Sequence, residues 1–434
     1  MRTTPAERPE LCSFPGGLRA VVWPMHSVSS VAVGFWATVG GRHEPEPLCG
    51  ISHFLEHLLF KGSRRRSAAA VARAIEGRGG DFNGFTQEET TCFYARVEAR
   101  HEETAFEVLA DLYRRPRLAE ADIASEREVI REEIRLYDDQ PSQLVEEQLQ
   151  ALLWPGHPLG RPLTGTEPAL DRIGRLELVD YHRKAYVPGA TIVALAGGTD
   201  WRCWRRRLER WVRDFRVRRK PIVASPVSDR HPQERVGLIR KPVEQTHLAL
   251  GIRLFGRHDS RRYALKLLSV ILGENMSSRL FRVIREQYGL VYAIQSAISL
   301  FAETGALTIS AGTEPKHALR VLALTLREIR RLGDERVGER ELRRAKDFTA
   351  GQMRLGLESS TRRMQWAGEC VAAYGRVLDP DQEIAAMRAV TPDAIQTLAR
   401  DLVRPNRVSL AIVGPDAEPT AQPIWERRLL EGLR

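Results

Sequence analysis

The chain has 434 residues, of which 43% are hydrophobic and 28% charged, and its formal net charge is +10. Those values exclude a disordered or collagen-like protein and allow two or three domains, each with a core of its own. Five cysteines (Cys12, Cys49, Cys92, Cys203 and Cys370) without paired spacing argue against a disulfide framework or a thiolate metal site. The longest apolar stretch, residues 28–39, is too short to span a bilayer, and no apolar leader is visible. The expectation is a cytoplasmic protein without a membrane partner. Of the 66 basic residues 59 are Arg, spread along the chain and densest at 64–66, 205–207 and 216–220. No basic recognition helix, zinc-finger spacing or aromatic stacking motif accompanies them, so no nucleic-acid partner is expected.

In chain order, an apolar strand over 31–41 ends in a turn, Arg42-His43-Glu44, and Gly50 then opens a short helix. That helix reads Ile-Ser-His-Phe-Leu-Glu-His-Leu-Leu-Phe and stops before Gly62. At 100° per residue His53 and His57 stand about 40° apart, with Glu56 about 60° to the other side of His53. The remaining faces carry Ile51, Phe54, Leu55, Leu58 and Leu59, so two imidazoles and a carboxylate share one narrow arc of a buried helix. Two His one turn apart can ligate one zinc and leave the intervening Glu to act on a water. The order is H-x-x-E-H, the reverse of H-E-x-x-H. A strand over 90–97 follows, then a helix over 122–137 with Ile123, Ile130, Ile134 and Tyr137 on its apolar face. Glu126 and Glu133 lie within about 80° of Ile123, whereas Glu132 points about 180° away. A carboxylate facing the core is costly unless it meets a metal or a donor. Both Glu133 and Glu126 are therefore candidates for the third ligand.

The later elements repeat the earlier ones. A helix over 176–186 leads to Pro188, a short apolar strand and Gly197; a helix over 393–402 leads to Pro405, a strand and Gly414, both offset by 217. The strand over 247–256 ends in Arg257-His258-Asp259, 215 residues after the first such turn, and a strand over 305–311 follows. Strands and helices do not alternate strictly. The expected fold class is α+β: two similar, duplicated domains, each a mostly antiparallel sheet covered by helices. The boundaries read 1–217, a Pro-containing linker 218–234, and 235–434. At the offset of 217, Glu133 falls on Ala350 and Glu126 on Arg343, and the helix over 264–272 has no His. The metal residues belong to the first half alone.

With these residues in place the chain resembles the pitrilysin family of inverted-motif zinc peptidases, in the short branch with mitochondrial processing peptidase and its bacterial relatives. The resemblance rests on Gly17-Leu18-Arg19, residues 50–62, the turn 79–86, residues 129–141, His157-Pro158-Leu159-Gly160, and residues 276–281 with 285–292. It implies one zinc per chain, held by His53, His57 and Glu133, with Glu126 as a supporting carboxylate. Glu56 is then the general base. Arg285 and Tyr292, seven apart, are implied to hold the substrate and its scissile carbonyl. Asn83, Gly84 and Phe85 lie where the family pairs an extended peptide by strand addition, and Gly84 departs from the family's usual Ala. The implied activity is a zinc endopeptidase acting on peptides or unfolded segments inside a dimeric chamber, as a homodimer or beside a paralogue, with Arg285 and Tyr292 completing the partner's site. The alternative is a non-catalytic chamber or scaffold subunit of a hetero-oligomer.

Overall fold

The structure is a computed structural model that describes residues 7–215, 220–228, 235–402 and 404–433. Residues 216–219 of the basic run, 218–219 and 229–234 of the expected linker, and Val403 before the second repeat lie outside the described residues. The first sheet has six strands: β1 (Glu10–Ser13), β2 (Arg19–Pro24), β3 (Ser30–Ala37), β4 (Asp81–Thr86), β5 (Thr91–Glu98) and β6 (Thr191–Gly197), in the order β1-β2-β6-β3-β5-β4. The second has five: β7 (Val236–Arg240), β8 (Thr246–Phe255), β9 (Val291–Leu300), β10 (Thr304–Thr313) and β11 (Val408–Gly414), in the order β7-β11-β8-β10-β9. Both are α+β layers of one plan. In each the closing strand runs parallel to an early one (β6 with β2, β11 with β7), and every other pairing is antiparallel. The registers carry the same duplication: Val33 pairs with Leu195 in the first sheet, and Leu248 with Ile412 in the second, offsets of 215 and 217.

The central strands β6 and β11 read Thr-Ile-Val-Ala-Leu-Ala-Gly and Val-Ser-Leu-Ala-Ile-Val-Gly, and every residue of both is buried. A strand buried on both faces needs cover on both. One face of the first sheet lies against the helices Ile51–Phe60 and Glu102–Arg114, through Phe35, Phe54, Leu58, Phe106 and Tyr113. The other face takes a helix from the far half of the chain, Ser360–Tyr374, whose Met364, Ala367 and Val371 pack on Val21, Ala32, Trp36 and Ala194. Gly368 makes the fit possible, because a Cβ there would come within 2.5 Å of the Trp36 ring. The second sheet is built the same way. Its first face meets Arg262–Leu272 and Ala318–Asp334; its second takes Pro141–Leu153 from the early half, with Val145, Leu149 and Leu153 on Ala249, Ala306 and Ala411.

The chain accordingly forms two compact units that are not its two contiguous halves. One comprises Met1–Ile134, Pro162–Ser225 and Met353–Asp379; the other comprises Arg135–Arg161, Pro226–Gln352 and Pro380–Arg434. Each sheet borrows one covering helix from the opposite half. No described helix is long and apolar enough to cross a membrane.

Candidate metal centre

The helix Ile51–Phe60 starts at Gly50, whose φ of +91° is open to Gly without strain. A side chain there would also strike the Thr164 carbonyl at 2.6 Å. The buried Glu44 carboxylate accepts from the Gly50 (2.6 Å) and Ser52 (2.8 Å) N–H groups, capping the helix with a negative charge at its positive end. The Ser52 and Tyr181 hydroxyls, 2.9 Å apart, tie the same turn to the core. The helix is thus anchored before its polar arc begins.

On that arc the His53 and His57 rings stand edge to face with centroids 4.6 Å apart. The helix expected over 122–137 runs from Glu120 to Asp139 and brings Glu133 opposite them. His53 Nε2 and His57 Nε2 lie 3.6 and 3.7 Å from Glu133 Oε2, and ligand atoms of all three residues fall within 4.8 Å of one another. Those separations exceed a hydrogen bond but suit neighbouring ligands of a tetrahedral ion, which at about 2.0–2.1 Å from zinc stand roughly 3.4 Å apart. Burial, aided by the neighbouring His57, pushes the His53 pKa down to about 3, so its ring stays neutral, the form that ligates a metal. The three residues fit a zinc ion with its fourth position left to water or substrate.

Around the three, His57 Nδ1–H donates to Glu126 Oε2 at 3.2 Å, and Glu126 Oε1 takes the Lys61 ammonium. Glu56 does not join the ligand group. Its Oε2 accepts from the Thr86 hydroxyl at 2.8 Å. Burial raises its pKa, against the lowering effects of that hydrogen bond and of His57. Gly84 lies directly beneath: a Cβ would sit 3.0 Å from the Phe60 ring and 3.1 Å from Glu56 Cγ. Strand alternation therefore turns Gly84 and Thr86 towards Glu56. Asn83 and Phe85 face the other way. Asn83 Oδ1 accepts from the Gly84 N–H at 2.8 Å, and Phe85 packs into the apolar cluster under Ser360–Tyr374. Strand β4 is the end of its sheet and, among the described residues, pairs only with β5.

In the other unit, Arg285 sits on a π-helical segment, Phe281–Gln287, and Tyr292 near the start of β9. The guanidinium lies 4.6 Å from the Phe281 ring centre and 5.3 Å from that of Tyr292, a residue 81% exposed. Sequence reasoning gave no role to Thr86, Lys61 or Glu44. Two of them carried a readable signal: Thr86 is two residues along the strand from Gly84, and Lys61 is one helical turn beyond His57.

Comparison with known proteins identifies the family. Residues 20–167 match the family model described as Insulinase (Peptidase family M16), and residues 172–348 match Peptidase M16 inactive domain. An uncharacterized zinc protease of Mycobacterium tuberculosis is 35% identical over 421 residues, covering 96% of this chain and 95% of its own. One from Bacillus subtilis is 33% identical over 400 residues, covering 92% and 96%. The chain belongs to peptidase family M16, the pitrilysin family of zinc peptidases. Its fold is also that of solved structures: a peptidase M16 inactive domain from Pseudomonas fluorescens (TM-score 0.86, 19% identity, 94% of this chain and 98% of that one) and a protease from Helicobacter pylori (0.85, 19%, 94% and 99%).

Proposed function

We propose that this chain is a zinc-dependent endopeptidase that hydrolyses peptides or unfolded segments. The observation that supports the reading best is the convergence of His53, His57 and Glu133 with Glu56 held apart by Thr86. Bound by the three ligands, one Zn²⁺ per chain supplies Lewis acidity toward a water and a peptide carbonyl. Glu56 takes the proton of the attacking water and delivers it to the leaving amine. Burial raises its pKa, which favours its holding the proton between the two transfers. The Tyr292 hydroxyl donates to the developing oxyanion, and Arg285 steadies that ring through its cation–π contact. The open edge of β4 receives the substrate as an added strand, with the Gly84 backbone passing close to Glu56. The working form is a cytoplasmic dimer enclosing a chamber.

Glu56→Gln tests the central step. The variant is expected to bind zinc like the parent and to lose about 10²–10⁴-fold in peptide hydrolysis. Hydrolysis at the parent rate would remove Glu56 as the base. A parent protein that binds zinc yet cleaves no member of a peptide library would favour the non-catalytic chamber subunit instead. Mixed dimers of Glu56→Gln and Tyr292→Phe subunits are expected to regain activity over either alone; no recovery would place Tyr292 in its own subunit's site.

A further inference from the structure

The helix Glu120–Asp139 sets two carboxylates against the histidine helix, Glu133 on the Nε2 side of both rings and Glu126 on the Nδ1 side of His57. Glu133 Oε2 faces both Nε2 atoms. Glu126 lies two turns earlier, is only 4% exposed, and has both oxygens engaged, one by His57 Nδ1–H and the other by the Lys61 ammonium. A buried carboxylate with a single partner keeps a lone oxygen in search of a cation. With Lys61 on its far oxygen, the carboxylate has a counter-charge on one side and the imidazole N–H on the other. Lys61 itself is placed by the histidine helix, of which it is the C-cap, one turn after His57.

From this geometry we infer that Lys61 is a positioning residue of the metal centre: it holds Glu126 out of the coordination sphere and against His57 Nδ1. The inference rests on the zinc reading above. Two effects follow. Glu126 accepts the Nδ1 proton, which fixes the His57 tautomer and leaves the Nε2 lone pair facing Glu133. Lys61 also discriminates between the two acids, so that the ion is shared by His53, His57 and Glu133. The chain Lys61–Glu126–His57 is the only orientation device of this kind at the site among the described residues, because His53 Nδ1 is buried without a hydrogen-bond partner. Loss of it therefore falls wholly on His57.

The test is zinc affinity, by competition with a chromogenic chelator, for the parent, Lys61→Met, Lys61→Arg, Glu126→Gln and the double variant Lys61→Met/Glu126→Gln. Visible absorption of the Co²⁺-loaded proteins reports coordination number independently of hydrolysis. Thermal unfolding in EDTA checks that each variant folds. Lys61→Met is expected to weaken zinc binding about 10- to 100-fold, the usual loss when a group behind a ligand is removed. Its Co²⁺ bands should weaken as Glu126 turns inward as an added ligand. Lys61→Arg should restore most of the affinity, and in the Glu126→Gln background Lys61→Met should add little. Parent-like affinity and Co²⁺ spectrum in Lys61→Met would overturn the inference and leave the zinc site standing. An undiminished loss in the Glu126→Gln background would overturn it too, since Lys61 would then act without Glu126. A parent that binds no zinc would remove the metal centre and this inference with it.

Discussion

Apart from the extra strand β1, the two sheets share strand order, strand direction and register, yet among the described residues only the first unit gathers a His-His-Glu group that could hold a metal. In the first, the helix against the sheet offers two His and a Glu on one arc. In the second, the corresponding helix Arg262–Leu272 turns Leu265, Leu268, Ile271 and Leu272 inward and has no His. The fold depends on the apolar residues that both helices retain, whereas the metal chemistry depends on three polar substitutions on one face. A duplicated architecture can therefore keep its packing after its chemistry has gone. The second unit retains a different asset in the Arg285–Tyr292 pair on its π-helix and edge strand; π-helical turns are frequent at functional sites.

That comparison can be broken in several ways. The largest effect is expected from dividing the chain between its halves. Residues 1–225 and 226–434 each lack the helix that covers one face of their sheet, leaving Trp36 and Ala194, or Ala249 and Ala411, without their partners. Expressed singly, both should aggregate or lack a cooperative transition; expressed together, they should co-purify one to one. A half that folds alone would show that the exchanged helices are dispensable.

Zinc itself should separate the two units. At a hundred times its Kd the ion is expected to stabilise the native state by about 2.7 kcal/mol. Hydrogen exchange should slow in Ile51–Phe60 and Glu120–Asp139 but change little in Arg262–Leu272. Equal slowing in both would end the contrast between them.

Gly368→Ala asks how tightly the borrowed helix is seated. With no room for a methyl beside Trp36, the substitution should cost about 1–3 kcal/mol by urea unfolding. Gly351→Ala, where a Cβ meets open space, should be neutral or slightly stabilising. Thr86→Val removes only the hydrogen bond to Glu56. A bond to a charged group contributes about 1.5–3 kcal/mol at most, so a drop of roughly tenfold in kcat is expected with zinc affinity unchanged. A parent-like kcat would show that Thr86 does not orient the base.

Much of this was legible in the sequence because it depends on local periodicity. Residues four apart on a helix share a face whatever surrounds them, so His53 and His57 converge by spacing alone. Glu133 and Glu126 follow the same rule on a second helix, and the duplication shows as a constant offset. Spacing could not rank Glu133 against Glu126. Nor could it show that Thr86 reaches across from a strand to Glu56, or that Asn83 and Phe85 face away from that acid.

The exchange of covering helices was equally hidden. Pro141–Leu153 and Ser360–Tyr374 are ordinary amphipathic segments, and an apolar stripe specifies that a face be buried without naming the sheet that buries it. By itself, then, the sequence determined the elements, their repetition and the faces that carry chemistry, since these follow from the geometry of a single helix or strand. Tertiary structure alone decided which acid faces the two Nε2 atoms and which takes the Lys61 ammonium, and which sheet each helix covers. Those choices depend on packing between elements distant in the chain, where close-packed side chains admit one arrangement and leave buried charges few partners.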